Sequence, residues 1–247
     1  IKIMEVQDLE RRIKEQEYGR GFDFSAAFPA LMRKVYLWMT FALAISGMVA
    51  YGVATSPNLL RVIYTNKLMF WGIMIAELVL VWKISNSVWK PNRSLASTTL
   101  MFTIFAALNG ATLSYIFVAF APAAIIKTFF VTAGTFGVTA CFGYFTKKDL
   151  TSLGSLFFMG LIGLIIASVV NMFIMSSTMD LIISYVGVAL FIGLTAWDSQ
   201  RIKNQLAMAQ DMSEGSQKIA LSGALSLYLD FINLFIYLLR IFGGRNS

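Results

Sequence analysis

Thirteen aspartates and glutamates occur in the 247 residues, and their positions decide which of them can do chemistry. Glu5, Asp8, Glu10, Glu15, Glu17 and Asp23 fall in a charged N-terminal segment, and Asp149, Asp180, Asp211 and Glu214 fall between apolar stretches. Glu77, Asp198 and Asp230 remain, each within or near the end of a long apolar run. Asp230 stands in the middle of "SLYLDFINLFIYLLR", residues 226–240. An ionised acid at such a depth costs roughly 2.5–3.5 kcal/mol on insertion scales, so an acid kept there is a candidate for function.

Asp230 is one member of a series. Ser222, Ser226, Asp230, Asn233 and Tyr237 are spaced by four, four, three and four, which lines them up along one face of a helix. Such a stripe belongs against another polar face or a water-filled cavity, because lipid offers it no partner. Thr195 and Asp198 on the sixth apolar segment are candidates, as are Thr103, Asn109, Thr112 and Ser114 on the third. If the sixth helix runs to about 205 and the seventh begins near 222, each aspartate lies seven or eight residues from the same membrane surface, roughly 10–12 Å deep. The two can then meet, although boundaries drawn by hydropathy alone leave Asp198 nearer the surface. Plainer roles stay open: Asp198 as a helix-end residue near Arg201, Asp230 as a permanently protonated hydrogen bonder, Glu77 as a bond to a neighbouring helix.

Two carboxyl groups sharing a dry site cannot easily both ionise, because like charge and lost hydration oppose the second charge. Such a pair senses protons without histidine. Protonated, it joins two helices through a shared hydrogen bond; deprotonated, it repels and admits water or a cation. Oxygen ligands suit a hard cation such as Ca²⁺, but electrostatics alone does not choose calcium.

The elements that must position these acids are legible in the composition. With 57% hydrophobic and only 13% charged residues and a mean hydropathy of +0.71, the chain reads as an integral membrane protein. Apolar stretches near 34–54, 68–84, 97–119, 123–145, 153–175, 181–200 and 219–240 are each long enough for a hydrocarbon core of about 30 Å. The expected architecture is all-α and polytopic: a bundle of seven transmembrane helices over residues 34–243, with the last helix central or partly re-entrant. A charged segment (1–33) precedes it and a short tail (244–247) follows. Pro29, Pro57, Pro91 and Pro122 fall before or between the stretches, where they break no helix. Ala50/Ala54, Gly110/Ser114 and Gly163/Ala167 carry small residues at helix-contact spacing. Trp38, Phe70, Trp71 and Trp89 suit the membrane interfaces. Within 5–17, Val6, Leu9 and Ile13 share one face of an expected short helix. No cleavable signal peptide is expected, since the first thirty residues are charged and lack an apolar h-region.

The single cysteine, Cys141, and the absence of histidine argue against a transition-metal centre, and no resident cofactor is expected. The net charge of +7 reports orientation rather than nucleic-acid binding, because fifteen of the twenty Lys and Arg fall on one side of the seven-helix arrangement. That side is expected to be cytoplasmic and to hold the N-terminus, with the C-terminus outside; a six-span version with the last helix re-entrant would leave both ends cytoplasmic.

The stretches "KKDLTSLGSLFFMGLIGLII" (147–166), "GLTAWDSQRIK" (193–203) and "ALSLYLDFINLFIYLLR" (224–240) resemble the transmembrane Bax inhibitor motif family. "AELVLVW" (76–82) and "LNGATLSYIF" (108–117) support the resemblance, which covers residues 30–243. It implies a pH-sensitive Ca²⁺ leak in the lipid bilayer, gated by paired aspartates on the sixth and seventh helices. Those roles fall on Asp198 in "WDSQ" and Asp230 in "YLDF", with Ca²⁺ passing near both. Glu77 matches the family's acid on the second helix, and Asn109, Ser226 and Asn233 are candidates for the ion path. In some bacterial relatives a basic residue after that acid locks one sensor aspartate, a place that here falls to Lys83 or Lys90 in "VWKISNSVWK". Neither has arginine's bidentate fork. Trp197 stands where relatives often carry tyrosine. The resemblance to short prokaryotic members implies a bacterial cytoplasmic (inner) membrane.

An intramembrane aspartyl protease also sets one aspartate on each of two helices, but Asp230 follows Leu227, Tyr228 and Leu229 without a Gly-x-Gly-Asp turn, and no Pro-Ala-Leu stretch occurs. A non-enzymatic role is therefore expected. A proton-coupled transporter would use the same acids; Pro and Gly interruptions inside paired helices would favour it, but the prolines lie outside the helices. An interaction protein that modulates membrane proteases or cell-death factors is the third alternative.

Overall fold

The computed structural model describes residues 27–90, 92–209 and 211–243; the stretch 5–17 and the tail 244–247 lie outside them. The described residues form eight α-helices: α1 (Phe28–Ala54), α2 (Pro57–Thr65), α3 (Lys67–Ser85), α4 (Leu95–Ala119), α5 (Pro122–Phe145), α6 (Leu153–Ile174), α7 (Ser177–Ala207) and α8 (Glu214–Phe242). A short 3-10 helix, Asn86–Trp89, follows α3. All but α2 are long and apolar enough to cross a membrane. The architecture is the expected all-α, seven-span bundle, and the last helix is its centre.

Local chemistry sets the helix starts. Pro29, Pro57 and Pro122 occupy the first turns of α1, α2 and α5, where a missing N–H costs nothing. Asn66, Ser94, Ser176 and Ser213 cap α3, α4, α7 and α8 by accepting backbone N–H bonds. At the far end of α6, Met175 takes a left-handed φ of 55°, and Asn171 steadies the turn by accepting from the Ser176 N–H at 3.1 Å. Several hydroxyls along the spans turn back onto their own helices, as Thr132 does to the Thr128 carbonyl (2.8 Å) and Ser168 to the Leu164 carbonyl (2.7 Å), which pairs those O–H groups within the helix.

Several boundaries differ from those drawn by hydropathy. The first helix begins at Phe28, well before residue 34, because Phe28, Leu31 and Met32 bury against the bundle. α2 was not anticipated; it is a short amphipathic helix filling the connection between the first two spans. α7 runs to Ala207 and α8 starts at Glu214, since polar residues at that end pack on protein rather than stopping at the membrane surface.

α8 is enclosed by α1, α4, α5 and α7. Its 29 residues form one continuous helix of about 43 Å, long enough to span, with no re-entrant break. Phe102 and Phe105 of α4 meet the Tyr228 ring edge-on, and Phe136 of α5 meets Phe231 likewise. The outer helices instead show apolar side chains to lipid; Leu68, Val138, Phe145 and Phe173 are all exposed, and Leu164 alone is buried on α6. Gly110 lets α4 press on α1, since a Cβ there would lie 2.5 Å from the Ser46 carbonyl oxygen. Gly163, expected at a helix contact, instead faces open space, so the small-residue spacing does not mark packing there.

Basic residues gather at the end where α1 and α8 start and α5 and α7 finish, which we call the basic end. There Lys34 of α1 donates to the Gln217 side chain of α8. Lys218, only 3% exposed, donates to the carbonyls of Lys90 (3.2 Å) and Arg93 (2.9 Å), fastening α8 to the α3–α4 connection. At the opposite end Arg240 reaches Asp180 at 3.3 Å.

The contrast between Gly110 and Gly134, which has nothing within 4 Å of its missing Cβ, is testable. Gly110→Ala overpacks the α1–α4 contact at a cost of about 1–3 kcal/mol and lowers the thermal unfolding midpoint in detergent. Gly134→Ala leaves the midpoint unchanged or raises it slightly, as alanine is the better helix former.

Candidate functional site

α7 and α8 run antiparallel, and one register brings together Gly187 and Tyr237, Asp198 and Asp230, Arg201 and Ser226, and Ile202 and Gly223. The absent side chains at Gly187 and Gly223 let the helices approach, with the Tyr237 ring lying over one glycine and Ile202 over the other. Between these contacts the Asp198 and Asp230 carboxyls come within hydrogen-bonding reach. They are 6% and 4% exposed. Asp198 lies nine residues before the end of α7 and Asp230 sixteen after the start of α8, so the equal depths inferred from sequence are not what joins them. α8 overhangs α7 at the basic end, and the antiparallel register absorbs the difference.

Arg201 completes this cluster. Its Nη2 lies 3.0 Å from Asp198 Oδ1 and donates to Ser226 Oγ at 3.2 Å, and its guanidinium stacks 4.7 Å over the Trp197 ring. A bond between two carboxyls requires one of them to hold a proton. With one shared proton, the two carboxyls and the guanidinium sum to zero charge; removing that proton leaves a net negative charge between the helices. Asp230 Oδ2 and Arg201 Nε are buried without a hydrogen-bond partner, so the site has unused polar capacity in an apolar setting.

Glu77 belongs to a second cluster on another side of α8. Thr112 Oγ1 donates to Glu77 Oε1 at 3.0 Å, with the Asn109 side chain beside the carboxyl. Asn109 Oδ1 accepts from the Tyr228 hydroxyl at 2.8 Å, which is 2.7 Å from Ser46 Oγ. One chain of bonds thus links α3, α4, α8 and α1. Tyr64 of α2 reaches in beside it, donating to the Thr112 carbonyl at 2.8 Å.

Sequence reasoning named Asp198, Asp230, Glu77, Asn109, Ser226 and Asn233, and the structure divides them. Asp198, Asp230 and Ser226 are together; Glu77 and Asn109 form the other cluster; Asn233 turns back to the Leu229 carbonyl at 2.8 Å. The cation beside the pair is Arg201 rather than Lys83 or Lys90. Lys90 Nζ lies 6.0 Å over the Trp82 ring, at the outer side of α3, and the ion pairs among the described residues include neither lysine. The reason is reach: the segment after Glu77 meets α8 at Lys218, twelve residues from Asp230, whereas Arg201 is one turn from Asp198. Tyr228 and Ser46 were missed. Tyr228 lies off the polar stripe, but a tyrosine in the middle of a span has a hydroxyl that must find a partner, and that was its signal. Among the described residues no three His, Cys, Asp or Glu side chains gather as metal ligands.

Residues 29–247 match the family model described as inhibitor of apoptosis-promoting Bax1. The chain belongs to this Bax inhibitor-1-like family. Among its relatives is the inner membrane protein YbhL of Escherichia coli K12, 42% identical over 221 residues, which are 89% of this chain and 94% of YbhL. An uncharacterised protein of Borreliella burgdorferi is 42% identical over 87% of this chain and 92% of its own length. Protein RP147 of Rickettsia prowazekii is 38% identical over 91% and 93%. This Bax inhibitor-1-like chain is therefore a multi-pass membrane protein.

Tyr228→Phe leaves the half-buried Asn109 oxygen without its donor. The expected cost is about 1–3 kcal/mol, read as a lower thermal midpoint, with Asn109→Leu in the same background recovering part of the loss because both polar partners are then gone.

Proposed function

We propose that the protein is a pH-sensitive cation leak, passing Ca²⁺ down its gradient and gated by the Asp198–Asp230 pair. The observation that carries this reading is the burial of two interacting carboxyls on adjacent helices, one of them ion-paired to Arg201. A stable structural bond would be better served by neutral amides; a carboxyl pair keeps the option of charge. With its proton in place the pair joins α7 to α8. Loss of the proton leaves like charges facing each other in a site that is dry when closed, and relief comes from separation and entry of water and a cation. Leak therefore rises with pH at the side where the pair is accessible. Carboxylate and hydroxyl oxygens from Asp198, Asp230 and Ser226 suit a hard cation.

The bacterial inner membrane is the proposed location, in keeping with YbhL, and the basic end is the proposed cytoplasmic side by its excess of Lys and Arg. The role is non-enzymatic, with protons and Ca²⁺ as the species handled.

The test is Ca²⁺ entry into dye-loaded liposomes carrying the purified protein, from pH 5 to pH 8. The parent shows protein-dependent entry that increases with pH. Asp198→Asn and Asp230→Asn each flatten the profile, because an amide cannot lose the shared proton. Arg201→Gln moves the rise to higher pH, since the cation that offsets the pair's charge is gone. Entry no greater than in empty liposomes at every pH overturns the reading.

A further inference from the structure

The turns of α7 that carry Asp198 and Arg201 are gripped from the side away from α8. Gln200, 6% exposed, donates from Nε2 to the Lys148 carbonyl and accepts at Oε1 from the Leu150 N–H, both at 2.8 Å. One planar amide thus pairs with the main chain of the 146–152 loop as a strand would. Lys203 Nζ donates to the Tyr144 carbonyl at 2.6 Å, just before the loop. Gly143, at the end of α5, is pressed on the Ala196 backbone, and Gly154, at the start of α6, lies under the Trp197 ring, 2.7 Å from where its Cβ would be. Residues 196–203 are therefore seated in a collar made by the end of α5, the loop and the start of α6. Asp198 and Gln200, two apart on a helix, point to opposite sides, so the same turns face the carboxyl pair on one side and the collar on the other.

We propose that the 146–152 loop is a latch on α7, and that Gln200 is the positioning residue through which the latch opposes separation of α7 from α8. The proposal rests on the reading of Asp198–Asp230 as the gate. Because the collar stands behind α7, parting Asp198 from Asp230 requires α7 to slide or turn against it, and that motion breaks both main-chain bonds of Gln200. Opening then frees the loop, already exposed at Lys147 and Lys148, from the bonds that hold its main chain, so that these lysines can extend into the trypsin active site. The charged and titratable groups facing this region are Lys147, Lys148 and Asp149 on the loop, Cys141 and Tyr144 on α5 with Tyr36 of α1 beside them, Arg201 and Lys203 on α7, and Asp230 on α8. Asp149 is held below the usual carboxylate range by the Thr151 hydroxyl and N–H and stays charged from pH 5 to pH 8.

The experiment is tryptic nicking of the full chain in detergent at pH 7, with the cuts after Lys147 and Lys148 identified by mass spectrometry. Gln200→Ala is nicked about tenfold faster than the parent, as expected for losing bonds that keep the loop closed. Gln200→Glu, which keeps the acceptor and loses the donor, falls between and carries the test should the alanine variant not fold. The double variant Asp198→Asn/Asp230→Asn, with an uncharged pair, is nicked more slowly than the parent. Equal rates in the parent and both Gln200 variants overturn the latch, and an unchanged rate in the double asparagine variant overturns its link to the pair. In liposomes Gln200→Ala begins to leak at lower pH than the parent, a shift that a merely structural residue would not produce. Absence of leak in every variant would sink the channel reading, while the nicking rates would still decide the latch.

Discussion

A polar atom inside hydrocarbon has no water to turn to, so each polar side chain along a span must be met by protein. This requirement places α8 at the centre of the bundle. It carries Ser222, Ser226, Tyr228, Asp230 and Asn233 in a single helix, and no one neighbour could satisfy them all. α7 answers Asp230 and Ser226, α4 and α1 answer Tyr228, and the helix's own backbone answers Asn233. Helices with few polar groups, α6 above all, are left to the outside.

Because Asp230 and Tyr228 are two residues apart, they look toward different sides of α8. The helix therefore works as a partition between two polar clusters of unlike character. On the α4 side Tyr228, Asn109, Thr112 and Glu77 form a chain in which donors and acceptors are matched. On the α7 side the carboxyl pair has a buried oxygen with no partner, and its balance depends on a single proton and one arginine. A fully matched chain resists change, whereas a site balanced by one proton would, on the proposed reading, respond to it. On that reading α8 has a fixed flank and a responsive flank.

The helix inventory and the interior position of Asp230 were legible because length and hydropathy are enough to define spans and because an acid in a span must face protein. The partner of Asp230 was legible as a candidate from the polar spacing of the sixth segment. What stayed hidden depended on contacts between elements far apart in sequence. Arg201 counted only as one of the bases on the expected cytoplasmic side; α7 extends to Ala207 and brings its guanidinium alongside Ser226. Lys83 and Lys90 looked suitable because they are basic and follow Glu77, yet where a side chain can reach is set by the direction of α3. Gly163 shows the same limit, since small residues at the right spacing pack only where another helix arrives.

The outward position of α6 has a consequence for how this chain can vary. With Leu164 its one buried residue, most of the helix answers to lipid, which is indifferent to the shape of an apolar side chain. Leucine, isoleucine, valine and phenylalanine are interchangeable over such a surface. The exceptions lie along a single line, Gly154 under Trp197, Phe157 against Gly193 and Gly160 against Leu190, where α6 touches α7. Mutational tolerance on this helix is accordingly a map of its orientation: a saturating scan would trace a narrow intolerant seam on a permissive cylinder.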